Sequence, residues 1–174
     1  KIPYTADENG RYNDMAPKEI TCWTNGFWGG MMWLMYVNTK NEEYKKTAER
    51  TEELLDEALK KHTGLHHDVG FMWHIVSGAN YRLTGNEASR TRNLYAAHML
   101  ASRYNPDGRY ITAWPGEEQQ GWTIIDSMMN IPLLYWAAEE EKADRYKMIA
   151  MHHADMAMNS HIRNDGSVNH IVVH

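Results

Sequence analysis

Two kinds of helix-forming segment alternate along this chain, and that alternation limits the folds open to it. Residues 24–38 are apolar on nearly every side, as expected of a helix buried all round. Residues 41–60 instead carry one apolar stripe, Tyr44, Ala48, Thr51, Leu55 and Ala58, opposite a charged face with Glu49, Glu53 and Lys60. The pair then recurs. Residues 69–83 are mostly apolar or small, and 87–104 are amphipathic through Leu94, Ala97, Leu100 and Tyr104. Residues 123–139 are apolar again, and 143–160 are of mixed polarity. An inner helix followed by an outer one, three times over, predicts helical hairpins at 23–60, 68–104 and 123–160 within one unit spanning 1–174.

The turns inside the hairpins look alike, and aligning Tyr44, Ser89 and Tyr146 gives a weak repeat of 45 and then 57 residues. The extra length falls in the loop from Asn105 to Gly121, long enough to suggest a functional role. Counting back 21 residues from Tyr44 and Ser89, and 20 from Tyr146, reaches Trp23, Asp68 and Asp126. Each therefore stands at the N-terminal mouth of its own buried helix, where free N–H groups also favour an anionic ligand. With the buried helices parallel, the three converge on one rim.

This all-α pattern describes an α/α toroid or a helical solenoid. Three hairpins make about the N-terminal half of a six-hairpin (α/α)6 barrel, and such a half exposes a large apolar face. The chain also opens at Lys1 without Met and ends on the strand-like Asn169–His174, so both ends read as cuts.

Composition excludes several function classes. A net charge of −5 gives no reason to expect binding to nucleic acid or an anionic membrane. No apolar run approaches the ~18 residues that a membrane span needs. Cys22 is the single cysteine, so no intrachain disulfide can form, and it reads as a buried thiol. No H-E-x-x-H or Cys/His spacing occurs, which predicts no metal site; His152, His153 and His161 read as outer-layer, solvated residues.

Asp68 and Asp126 remain the best handle on chemistry. An ionised carboxylate among apolar side chains costs free energy unless it is paired, protonated or in a wet cavity. The plainer reading of either is a helix N-cap. Trp33 and Trp28 read as core, whereas Trp23 at a helix mouth and Trp114 in a Gly- and Pro-bearing loop are placed to meet a ligand.

Four segments carry a family resemblance: Trp23-Thr24-Asn25-Gly26-Phe27-Trp28-Gly29-Gly30; His66-His67-Asp68-Val69-Gly70-Phe71; Ala113-Trp114; and Ile124-Ile125-Asp126-Ser127-Met128-Met129-Asn130 followed by Pro132-Leu133-Leu134. In order and spacing they resemble the unsaturated glucuronyl hydrolases, glycoside hydrolase family 88. The resemblance implies an (α/α)6 barrel that removes a 4,5-unsaturated uronic acid from lyase-generated oligosaccharides, with no cofactor. It implies Asp126 as general acid and base, Asp68 as the second essential carboxylate, and Trp23, Trp114 and His170 as sugar contacts. The related unsaturated rhamnogalacturonyl hydrolases are a second enzymatic reading, and a helical-repeat binding scaffold is the non-enzymatic one. Localisation stays open between cytoplasm and periplasm of a bacterium, and so does oligomeric state.

The chemistry implied is hydration of a vinyl ether. A carboxylic acid protonates C4, water adds to C5, and the resulting hemiketal collapses to release the aglycone. Apolar flanks and the like charge of Asp68 predict a neutral Asp126. His170 or His67 is placed to hydrogen-bond the uronate or its water.

Overall fold

The computed structural model describes residues 1–174, and no helix in it is long and apolar enough to cross a membrane. Eight helices are joined by short strands: α1 (Thr24–Thr39), α2 (Glu42–Lys61), α3 (Val69–His74), α4 (Ser77–Thr84), α5 (Glu87–Ala101), β1 (Tyr104–Asn105), β2 (Tyr110–Ile111), β3 (Trp122–Ile124), α6 (Ser127–Asn130), α7 (Pro132–Glu141), α8 (Asp144–Ser160) and β4 (Ile171–Val173). The chain divides into two compact units, residues 1–65 with 72–95, and residues 66–71 with 96–174.

In the first unit, α1 and α2 form the hairpin that the alternation predicts. α1 closes on Lys40 in the left-handed conformation, and Asn41 then caps α2 by accepting from the Glu43 N–H. Glu42 and Glu43 lie in the first turn of α2 and Lys60 and Lys61 in its last, matching the helix dipole at both ends. Trp33 is buried with Met32 and Ala48, and Trp28, Tyr36 and Tyr44 pack around them. α1 approaches residues 72–76 closely because glycines face them. A Cβ on Gly26 would lie 2.7 Å from the Met72 Cα, and one on Gly29 would lie 2.9 Å from Val76. Asn25 is fully buried and donates to the carbonyls of Glu19 and Ile20, which ties the irregular lead-in to α1. Cys22 is half-buried beside the Thr24 hydroxyl rather than buried, because it precedes the helix.

The outer helices of this unit are joined by charge. Arg92 grips Asp56 through Nε at 2.6 Å and Nη2 at 2.8 Å, and its Nη1 lies 3.4 Å from the buried Glu52. Glu52 also accepts from Asn80 at 2.7 Å. Large apolar side chains on α1, among them Met31, Leu34 and Met35, are exposed, as expected of an inner helix in a three-hairpin array.

In the second unit, α7 and α8 form a further hairpin, and β2 packs on α8. β3 and β4 pair antiparallel in the register Trp122↔Val173, Thr123↔Val172 and Ile124↔Ile171. Two expectations are corrected here. The apolar run 123–139 is not one helix: the β-branched Thr123 and Ile124 pair with β4, and Pro132, which has no N–H to donate, starts a new helix after α6. His153 and His161 are buried, not solvated, because their rings serve otherwise unpaired backbone groups. The Ile111 N–H donates to the His153 Nδ1, and the His161 Nδ1 donates to the Asn169 carbonyl.

The Arg92 network yields a test of this packing. Arg92→Met leaves Glu52 as an uncompensated buried charge, which should cost about 3–5 kcal/mol of stability. Urea unfolding of the full-length protein at pH 7 reads that loss.

Candidate active site

Asp68 and Asp126 lie in the second unit, together with His66, His67, Trp114 and His170. Asp68 sits at the head of α3, and only 8% of its surface is exposed. Its Oδ1 accepts a hydrogen bond from the Asn130 Nδ2 at 3.0 Å. Its two oxygens also face the imidazoles that precede it, His66 Nδ1 at 3.5 Å and His67 Nε2 at 3.6 Å. Burial pushes the Asp68 carboxyl up to about 6; the Asn130 bond opposes this, and the charge of Asp126 adds to it.

Asn130, at the last position of α6, connects this carboxylate to everything around it. The Phe71 N–H donates to its Oδ1 at 2.8 Å, which fixes the orientation of the amide. The Nδ2 end therefore faces Asp68, the Asp126 carbonyl at 3.3 Å and the His67 Nδ1 at 3.3 Å. Since an amide nitrogen only donates, the His67 Nδ1 must accept, and the Ser127 hydroxyl donates to it as well at 3.0 Å. The His67 proton then resides on Nε2, beside Asp68. Burial, with the charges of His66, Arg103 and His153, holds His67 down at about 3, so the ring is neutral at physiological pH.

Asp126 is placed differently. It precedes α6 without capping it, which excludes the plain N-cap reading, and its side chain is 49% exposed. The Ile125 N–H donates to the His170 carbonyl at 3.0 Å, and the His170 Nδ1 then lies 3.5 Å from Asp126 Oδ1. The β3–β4 ribbon thus carries Asp126 at the end of one strand and His170 at the start of the other. The apolar neighbours of Asp126 in sequence do not enclose it. The carboxyl held up near neutrality is Asp68, because Asp68 is the buried one.

Trp114 belongs to the same group. The His67 N–H donates to the Ala113 carbonyl at 3.1 Å, and the Ala113 N–H donates to the Trp122 carbonyl at 3.0 Å. The half-buried Trp114 ring stands edge-on to His67, with centroids 5.9 Å apart. Arg103 braces this segment by donating to the carbonyls of Thr112 and Ala113. Trp23 belongs to the first unit, where its exposed ring stands edge-on to Phe27 at the start of α1. Sequence reasoning missed Asn130 and Ser127 as site residues; the available signal was the four-residue spacing from Asp126 to Asn130, which shares one helix face.

His66, His67 and Asp68 also hold three potential metal-ligand atoms within 4.8 Å of one another, a cluster that ligand spacing did not predict. The hydrogen bonds speak for a polar network instead. With Nδ1 accepting from Asn130, the Nε2 that faces Asp68 carries a hydrogen and has no lone pair for a metal.

The raised Asp68 has a consequence for stability. Between pH 3.8 and about 6 the folded state holds a proton that the unfolded state has lost, so stability falls as pH rises through that window. Above it the ionised Asp68 costs the fold roughly 3 kcal/mol. Asp68→Asn should therefore raise stability at pH 8 by about 1–3 kcal/mol and leave it nearly unchanged at pH 3.5. Thermal or urea unfolding at the two pH values reads the difference.

Comparison with known proteins gives these groups a context. No profile of a known protein family matches the chain. It is 34% identical over 174 residues to the unsaturated glucuronyl hydrolase of Bacillus sp. (strain GL1), a match covering 98% of this chain and 45% of that protein. It is 36% identical over 153 residues to the unsaturated chondroitin disaccharide hydrolase of Streptococcus pneumoniae, covering 86% of this chain and 39% of the relative. The crystal structure of the Bacillus protein, described as responsible for the degradation of glycosaminoglycan, superposes with a TM-score of 0.89 at 34% identity over 99% of this chain and 46% of that one. An aspartate-to-asparagine variant of the Streptococcus agalactiae unsaturated glucuronyl hydrolase, solved with dGlcA-GalNAc6S, matches with a TM-score of 0.78 at 28% identity, covering 97% of this chain and 39% of that one. These structures are α/α toroids, and the mostly helical chain shares that fold class. The chain spans a little under half the length of the curated relatives it matches. In sequence and in fold alike, it is similar over nearly its whole length to part of the unsaturated glucuronyl hydrolases.

Proposed function

We propose that the protein carrying this chain is a glycoside hydrolase that removes a 4,5-unsaturated uronic acid from the end of lyase-generated oligosaccharides by hydrating its vinyl ether. One observation carries the reading: an exposed carboxylate, Asp126, bears its charge on a buried one, Asp68, that is pushed up to about 6. Two carboxyl groups in such unlike environments suit a division into a proton-transfer group and a charge-bearing one. The similarity to unsaturated glucuronyl and chondroitin disaccharide hydrolases along nearly the whole chain supports the same assignment.

Asp126 is the proton-transfer residue. Its exposed carboxyl gives a proton to C4 of the sugar, and the carboxylate then takes one from the water that adds to C5. The hemiketal formed at C5 collapses by itself and frees the aglycone. His170, 3.5 Å from Asp126, is placed to hold that water or the uronate. Asp68, ionised above about pH 6, offsets the positive charge that builds on the ring oxygen once C4 is protonated. The neutral His67 offers a hydrogen-bond donor at Nε2, and Trp114 offers a flat face for the sugar. The substrate is the one partner this reading requires.

Asp126→Asn in the full-length protein should lower turnover by about 10²–10⁴-fold while the fold is kept, because a positioned acid–base group contributes that much. The readout is the loss of the ultraviolet absorbance of the conjugated double bond, with circular dichroism as the check on folding. Glycosaminoglycan-derived unsaturated disaccharides should be consumed faster than pectin-derived ones. Unchanged turnover in Asp126→Asn rejects the assignment, and a preference for the pectin-derived substrate moves the protein to the rhamnogalacturonyl class. The wild-type kcat/KM should fall on the acid side with an apparent pKa near 6, set by Asp68.

A further inference from the structure

Asp68 and His67 can act on a substrate only if their protonation states are fixed. Both are buried in one pocket of side chains, and each has two chemically different ways to face a substrate. Asp68 can present an anion or an acid. His67 can present a hydrogen on Nε2 or a lone pair there. Something rigid has to choose.

Asn130 is fully buried, and each end of its amide is committed. Its oxygen is held by the Phe71 N–H, a backbone donor that cannot reverse its role. A flip of the amide would bring two donors together at Phe71 and set its oxygen against the Asp68 carboxylate. The fit around it is close: a Cβ on Gly70 would lie 2.5 Å from the Asn130 Cβ and 2.6 Å from its Oδ1. The nitrogen end, so oriented, donates toward Asp68 and toward the His67 Nδ1.

We propose that Asn130 is the positioning residue of this site, its locked amide holding Asp68 as the anion and His67 as the Nε2–H tautomer. The inference rests on the hydrolase reading for its kinetic consequence and on geometry alone for its structural one. The groups that face Asp68 are His66 and His67 from its own segment, Asn130 from α6, and the charge of Asp126. His67 is faced by Ser127 and Asn130, by Trp114, and by the charges of His66, Arg103 and His153.

Asn130→Asp is the informative variant, because it keeps an oxygen for the Phe71 N–H and removes both donors. A carboxylate now faces the His67 Nδ1 and draws the proton there, which turns the Nε2 lone pair toward Asp68. Asp68 loses a donor and gains a like charge, so it ionises only at higher pH. The acid limb of kcat/KM should rise from near 6 to above 7, a loss of about five- to tenfold at pH 6 that largely closes by pH 8.5. Nitrogen-15 chemical shifts of the His67 ring, assigned with His67→Gln, should report Nε2–H in the wild type and Nδ1–H or the doubly protonated ring in Asn130→Asp.

A movement of both the pH limb and the tautomer supports the inference. An unmoved limb with an unmoved tautomer overturns it and leaves Asn130 as packing. A wild type that turns over no unsaturated disaccharide, with a tautomer that still switches in Asn130→Asp, rejects the hydrolase reading and supports the positioning role. Asn130→Ala, which removes the acceptor for Phe71 too, should lose stability; a tautomer unchanged in its folded fraction would also count against the proposal.

Discussion

The hydrogen bond from the Phe71 backbone to the Asn130 side chain is the constraint from which the rest of the site follows. It joins positions 59 residues apart, at the head of α3 and at the end of α6. Because the donor is a main-chain N–H, the amide has one orientation, and that orientation sets the chemistry of its neighbours. Asp68 receives a donor and His67 receives a donor, so one is favoured as an anion and the other as a neutral ring with its hydrogen on Nε2. A buried carboxylate with no such donor would hold its proton to still higher pH. Gly70 is part of the same arrangement, since any larger residue there would meet the Asn130 side chain.

The second element of the site is the strand ribbon, and it does what a helix could not. β3 ends at Ile124 and β4 begins at Ile171, and their pairing fixes Asp126 and His170 side by side although 44 positions separate them in sequence. The two-residue alternation of a strand sends Thr123 inward to the buried His161 while Trp122 lies toward Trp114. His153 and His161 support this ribbon and β2 from below by pairing backbone and hydroxyl groups. Their burial is structural.

Much of this was legible in sequence, and the remainder fails for identifiable reasons. The alternation of buried and amphipathic helices is visible because helical period and burial leave a pattern in a single segment. The odd aspartates are visible because a charge among apolar residues is costly wherever it sits. Asn130 is different. It stands in the same motif as Asp126, but its meaning lies in a bond to Phe71 and a contact with Asp68, and neither is local. The β3 strand was hidden for the same reason: Thr123, Ile124 and Ile125 fit an apolar helix as well as a strand until residues 171–173 come to pair with them. The histidines were misplaced because a polar residue on an outer helix is usually solvated, and only the packed structure supplies the Ile111 N–H and the Thr123 hydroxyl that bring them inside.

The contrast between the two carboxylates also shows that enclosure in space, not neighbours in sequence, decides which one is desolvated. Apolar neighbours in sequence do not desolvate a side chain; apolar and polar neighbours in space do. Ile124 and Ile125 flank Asp126, yet its carboxyl is half exposed. Asp68 is flanked by two histidines, and it is the one enclosed. Such an arrangement suits the proposed chemistry. The group that must pass a proton to and from substrate and water needs access. The group that must carry charge next to a developing cation gains strength from a low-dielectric surrounding, at the expense of stability. An energetically unfavourable buried carboxylate held in one orientation by one amide is hard to account for as packing, and it is what a site for charge stabilisation requires.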